Sequence, residues 1–311
     1  MCRILLPLTL CILLVACASP LPQKPKAFND AEQNMQRGAT AYANDEYHLA
    51  ANAFTNALDL YQSIDDGSGI FEASVNLIET SITVGNLAAA RQGLQRLIGV
   101  TDERSGMDAA MRLKLLEVRL LHAEQRPQQA LDLLQPLWPA FDEGQRVIQG
   151  GAHSLAVIAA SARLKQQLGH ADADLWIRRF ANIDLDSTAG NERYRALLLR
   201  LQAQQLNDAS PGSIEGERLL HEALNIYRDL VYRRGIAATL QQLAQLRLQR
   251  NELRAADNLY QRALKIHLWT LNSGAAVEVL EALVDINRQL GDQANVALFS
   301  AQLEQLKQDK R

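Results

Sequence analysis

Residues 238–267 read ATLQQLAQLRLQRNELRAADNLYQRALKIH. Leu240, Leu243 and Ala244 share one face of a first helix, and Ala256, Tyr260, Ala263 and Leu264, at i, i+4, i+7 and i+8, share one face of a second. Asn251–Glu252 separates the two. Two helices approach closely only where a small side chain occupies the crossing, with larger ones filling the hollows beside it. Ala256 is placed to be that small residue.

The same register returns along the chain. YHLAANAFTNAL carries Ala50, Phe54 and Ala57; GNLAAARQGLQRL carries Ala90, Leu94 and Leu97; RPQQALDLLQPLW carries Ala130, Leu134 and Leu137. IEGERLLHEALNIY carries Gly216, Leu220 and Ala223, and the final copy puts Val296 at the crossing. A degenerate copy, GHADADLWIRRFA, is expected to put Asp174 there. Successive anchors then stand 40, 40, 44, 42, 40 and 40 residues apart, a regularity that chance amphipathicity does not produce.

Helix formers dominate from residue 31 onwards, aromatics are only 5% of the chain, and β-branched runs are absent, so a sheet has little support. After the first 25 residues proline occurs only at Pro127, Pro136, Pro139 and Pro211, and Pro136 and Pro139 are placed to end a helix early. The helix–turn–helix unit with its small crossing residue resembles the tetratricopeptide repeat. Residues 216–290 are similar to the roughly 42-residue variety of kinesin light chains. The resemblance covers residues 31–306 and implies an all-α, right-handed solenoid of six to seven helix pairs. The usual helix A aromatic is missing, its place being held by Ala41, Ser81, Arg247 and Asn287. Each pair has two apolar faces and must stack on its neighbours to bury both. NDASPGS at 207–213 marks an enlarged loop or an irregular break, and 307–311 is a polar tail.

The chain opens MCRILLPLTLCILLVACASP. Arg3 precedes an apolar run from Ile4 to Ala16, too short to cross a ~30 Å hydrocarbon core comfortably at ~1.5 Å per residue. A charge, an apolar run and then small residues is the order of an export signal. Leu14–Val15–Ala16–Cys17 resembles the bacterial lipobox, which implies cleavage after residue 16 and acylation of Cys17. No cysteine occurs in the 294 residues after it, so neither a disulfide framework nor a cysteine nucleophile is expected. Ala18 and Ser19, by resemblance to enterobacterial sorting, imply the outer membrane, facing the periplasm. Residues 17–30, with three prolines, read as the lipidated end and an extended tether.

Chemistry is sparse. No GxSxG, histidine pair or phosphate loop occurs, and no catalytic residue, cofactor or metal is expected. In HADAD, His170, Asp172 and Asp174 fit a turn and helix cap better than a metal site. Asp65–Asp66–Gly67–Ser68–Gly69 lacks the distal glutamate of a calcium loop and reads as a turn. His122 lies on the third pair's first helix and reads as a core or surface histidine. A net charge of −3 with alternating signs disfavours nucleic acid.

In a tetratricopeptide stack the first helix of each pair lines the concave side. Residues there that packing leaves over are Glu72, Glu79, Arg112, Arg119, Gln241, Gln245, Glu278, Glu281 and Asp285, the candidate partner-binding strip. The resemblance to envelope lipoproteins of this type implies a membrane-tethered scaffold whose partners are periplasmic or outer-membrane proteins, such as assembly factors or peptidoglycan enzymes. The alternatives are an envelope hydrolase with its site in a loop near 141–153 or 207–213, or a pilotin-like chaperone.

Overall fold

The computed structural model describes residues 25–100, 106–142, 147–149, 153–185 and 191–308. Cys17, the lipobox and the last three residues lie outside them. Fourteen helices occur among the described residues, and they pack as seven antiparallel pairs. The first three pairs are α1 (Lys26–Ala43) with α2 (Tyr47–Ser63), α3 (Gly67–Thr83) with α4 (Leu87–Val100), and α5 (Gly106–Ala123) with α6 (Pro127–Leu134). α7 (Ser154–Gln167) with α8 (Ala173–Ala181) and α9 (Glu192–Ala209) with α10 (Ile214–Asp229) follow. α11 (Arg233–Gln249) with α12 (Leu253–Trp269) and α13 (Ser273–Leu290) with α14 (Gln293–Gln308) complete the solenoid. None of these helices is long and apolar enough to cross a membrane.

The period has a simple origin. α2, α3, α11 and α12 each have 17 residues, and three-residue turns separate such helices. The turns pivot on a left-handed residue: Asp45, Asp65, Gly85 and Gln125 in the first half, Val231, Asn251, Leu271 and Gly291 in the second. The following N–H then reaches back to the carbonyl five residues earlier, as in Glu46 to Ala41, Asp66 to Tyr61 and Tyr232 to Tyr227. The residues beyond the usual repeat length have therefore gone into longer helices, and the forty-residue unit is two equal halves of about twenty.

The anchors lie in the first turn of the second helices. Ala50, Ala90, Ala130 and Ala256 are completely buried, Gly216 is buried, and Val296 is half-buried against the last cluster. At Gly216 a methyl group would stand 3.1 Å from the Ala203 carbonyl oxygen, and at Gly38 one would lie 2.5 Å from the Phe54 ring. The approach at Gly216 is a close crossing that the register predicts; the one at Gly38, on the facing helix, is not among its anchors. The core is a chain of clusters and has no single centre. One spans α3, α4 and α5, the next α5, α6 and α7, another α7, α8 and α9, and so on to α14.

Four expectations need correction. Asp174 does not occupy the crossing: it is exposed, and Ala173 is buried in its place, with Trp176, Ile177 and Phe180 completing the face. The register slips there because α6 stops at Leu134, where Pro136 starts a 3-10 turn over Gln135–Leu137. Second, a small sheet follows, with β1 (Ala140–Phe141) antiparallel to β2 (Val147–Gln149). Its strands are too short to show alternation in the sequence. The hairpin packs through Trp138 and Phe141 onto Trp176, with ring centroids 4.6 and 5.9 Å apart. Third, α1 begins at Lys26, inside the stretch read as tether. Finally, 207–213 closes α9 and makes an ordinary inter-helix turn, in which Asn207 Oδ1 and Gln249 Oε1 accept from the Gly212 N–H, both at 3.0 Å.

Candidate functional site

The stack coils until the head of its sixth pair meets its first. Arg233, at the head of α11, donates to the Asn44 carbonyl at 3.2 Å and pairs with Asp45, both in the α1–α2 turn. Its neighbour Arg234 donates to the Thr83 carbonyl at the end of α3 and lies 5.4 Å from the centre of the Tyr47 ring. The concave side is thus closed into a channel, walled by the first helices of the pairs.

Arg119 of α5 shows what kind of interior this is. Its side chain keeps 43% of its surface accessible, yet protein surrounds it on all sides. A side chain that water reaches and that protein walls on several sides fits a water-filled groove. Burial opposes the Arg119 charge, but the Glu79 carboxylate, with a contribution from Tyr42, holds its pKa above the ordinary arginine value. Tyr42 of α1 and Tyr232 before α11 both lie near enough to act on the Arg119 charge.

Two ion pairs tie α3 to α5, each joining residues forty apart. Arg112 Nη2 donates to Glu72 Oε2 at 2.8 Å, and Arg119 pairs with Glu79. Four members of the expected strip are therefore one another's partners. Gln241 Oε1 lies 2.9 Å from His267 Nε2, Glu281 accepts from Lys307 Nζ at 3.0 Å, and Asp285 pairs with Arg288 at 2.9 Å. Gln245 and Glu278 are exposed. The structure does not gather all nine at one place.

What the register missed lies deeper. α7 carries Arg163 and α9 carries Arg200, which the unsettled repeats of the middle had hidden. The visible clue was a charge inside the apolar run LAVIAASARL of α7. His122 stands beside them, its Nε2 3.0 Å from Gln167 Oε1. Burial and then the Arg163 charge push its pKa down to about 4, against the Gln167 bond, so it is neutral at pH 7. Arg200 Nε donates to Gln242 Oε1 of α11 at 2.7 Å. A cavity of about 420 Å³ lies between α1 and α3. Of its acids, Asp66 caps the Gly69 N–H and Glu72 is committed to Arg112.

The acids of HADAD are spent on structure. Asp172 holds the N-cap position of α8 without making the capping bond, and its carboxylate takes Lys165 Nζ at 2.7 and 2.8 Å. Asp174 accepts from Gln205. Among the described residues no group of three His, Cys, Asp or Glu could hold a metal ion.

Helix pairs, small crossing residues and a coiled stack define a tetratricopeptide-like helical-repeat fold. No protein-family model matches the chain, and no curated protein matches it. Among solved structures it is similar to a Rap protein complexed with competence and sporulation factor, at 11% identity over 92% of this chain and 77% of that one, with a TM-score of 0.61. It also aligns with the apo form of RapI (9% identity, 90% and 77% covered, TM-score 0.48). BtubC (BKLC) from P. vanneervenii aligns as well (11%, 92% and 93%, TM-score 0.36). At these identities the likeness is one of fold, and only the first alignment is close enough to bear on the architecture.

Proposed function

We propose that this chain is a binding scaffold: a periplasm-facing adaptor held to the outer membrane through lipid on Cys17, which receives a segment of a partner protein in its channel. The observation that carries the reading is the channel itself. Packing of the helix pairs consumes the apolar faces, yet α3, α5, α7, α9 and α11 turn Glu79, Arg119, Arg163, Arg200 and Gln242 toward an enclosed space that water can enter. Polar side chains in such a space favour recognition of an extended polar ligand, and their charges contribute more to specificity and association rate than to raw affinity. The fold shared with a Rap protein, which has been captured with competence and sporulation factor, supports binding as the role of such a coil. The Leu14–Cys17 motif supports the anchor and the compartment.

The test is capture from detergent-solubilised membranes with the full-length chain as bait. A stable partner recovered in fixed proportion is the expected result. No partner at all, or turnover of peptidoglycan or lipid by the purified protein alone, would overturn the scaffold.

A further inference from the structure

Arginines are common on these helices, and several of the less exposed ones own a carboxylate. Arg91 has Glu124, Arg112 has Glu72, Arg119 has Glu79, Arg233 has Asp45, and Arg247 and Arg250 share Glu217. Arg163 does not own one, although it is enclosed. Among the described residues it forms no ion pair, its Nε is shut off from solvent without a hydrogen-bond partner, and the neighbouring cations, Arg119 and Arg200, repel it. Burial moves its pKa down from the ordinary arginine value. Arg200, among the same residues, has the neutral Gln242 oxygen and a contact with Tyr227 but no carboxylate. An enclosed cation without a counter-charge is strongly unfavourable, and substitution by an apolar residue would relieve it.

Arg163 and Arg200 both line one cavity of about 300 Å³ between α7 and α9. Gln167 and Gln242 share the lining; the acid there, Asp208, is exposed and accepts from Gln204 Nε2 at 2.8 Å. The space holds a side chain or a chain end, not a folded element. A guanidinium fork matches a carboxylate with two parallel N–H···O bonds, and neighbouring amides suit a peptide backbone.

We infer that this cavity is the seat of a carboxylate carried by the partner segment, with Arg163 and Arg200 as its two cationic walls. The inference rests on the scaffold reading and names the chemistry that the channel selects: an acidic side chain, or the carboxylate that ends a polypeptide.

The experiment is thermal unfolding of the full chain in detergent, at constant ionic strength. The added probes are acetyl-tetraglutamate amide, acetyl-tetraalanine free acid, acetyl-tetraalanine amide or inorganic phosphate, each at millimolar concentration. One of the two carboxylate peptides should raise the midpoint by a few degrees, and which one does so tells side-chain from terminal recognition. The neutral amide should do nothing. Arg163→Gln and, independently, Arg200→Gln should abolish the shift, while Arg218→Gln, on an exposed arginine paired with Glu215, should keep it. The seat is wrong if neither acid acts, if phosphate alone acts, or if both channel variants respond as wild type does. Capture of a partner that Arg163→Gln leaves unchanged would remove the seat and leave the scaffold. Failure of wild type to capture any partner would remove the scaffold and leave the peptide result standing.

Discussion

Arg233 and Asn44 are 189 residues apart in the chain, yet the guanidinium of one donates to the carbonyl of the other at 3.2 Å. The same guanidinium neutralises Asp45, whose side chain is only 9% exposed. A pairing this remote decides whether the concave side is a trough or a tube. Arg233→Ala should therefore widen the coil and lower stability by about 1–3 kcal/mol, because among the described residues it leaves a nearly buried carboxylate with no cation and only the Tyr47 hydroxyl as side-chain donor. Small-angle X-ray scattering should show a larger radius of gyration. An unchanged radius would mean that the first and sixth pairs are held together by other contacts.

Ala256→Glu puts a chain-long acid at a crossing with no room for it. Ala256 is fully buried in the cluster that joins α11, α12, α13 and α14. The cost should be several kcal/mol, from steric overfilling and from desolvation of a charge. Chemical denaturation should show an early transition for the C-terminal pairs. Wild-type behaviour would mean that the register has been misread.

How far the fold could be read from the chain depended on what each residue answers to. Ala50, Ala90, Ala130 and Ala256 answer to a local demand, closeness of two helices, and so they repeat visibly. The slip at Ala173 answers to Pro136 and a hairpin whose strands are too brief to leave a pattern. Glu72–Arg112 and Glu79–Arg119 could have been found, since opposite charges one period apart on adjacent inner helices are neighbours. Arg163 was marked only by being charged in an apolar run. The Arg233–Asn44 contact was not legible at all, because it depends on accumulated curvature over five pairs.

His267 gives the stability a definite acid limb. It is buried, with Nε2 against Gln241, and burial followed by the Arg234 charge pushes its pKa down from 6.5 to about 4. As pH falls below about 6.5 the unfolded chain takes up the proton first, and the folded chain follows only near 4. This contribution is complete above pH 6.5 and fades as pH drops toward 4, by about 3 kcal/mol at most. His267→Gln should flatten the slope of unfolding free energy against pH in that window. An undiminished slope would assign the loss to other groups.

Val231 is a β-branched residue at φ 50°, with 57% of its surface exposed. The left-handed conformation costs about 1–2 kcal/mol for such a side chain, of which glycine's greater freedom in the unfolded state returns part. Val231→Gly should stabilise the protein by about 0.5–1 kcal/mol, read as a higher urea midpoint. Gly291 takes the same conformation, and the space into which a methyl group would project there is open. Gly291→Val should therefore move the midpoint the other way through backbone strain alone.

Cys17→Ser should leave the precursor unprocessed or the protein released from membranes, because no later thiol can take lipid. Fractionation and intact mass check both. An unchanged membrane fraction with unchanged mass would rule out the anchor.

The meeting of the α1–α2 turn with the head of α11 also sets a tally for the whole molecule. Duplication of a forty-residue unit is normally an easy route to a longer array, since each copy needs only its neighbours. Here an extra copy inserted between α2 and α11 would carry Arg233 past Asn44 and unlock the coil, so growth is tolerated only beyond the point of contact, as further pairs added after α14.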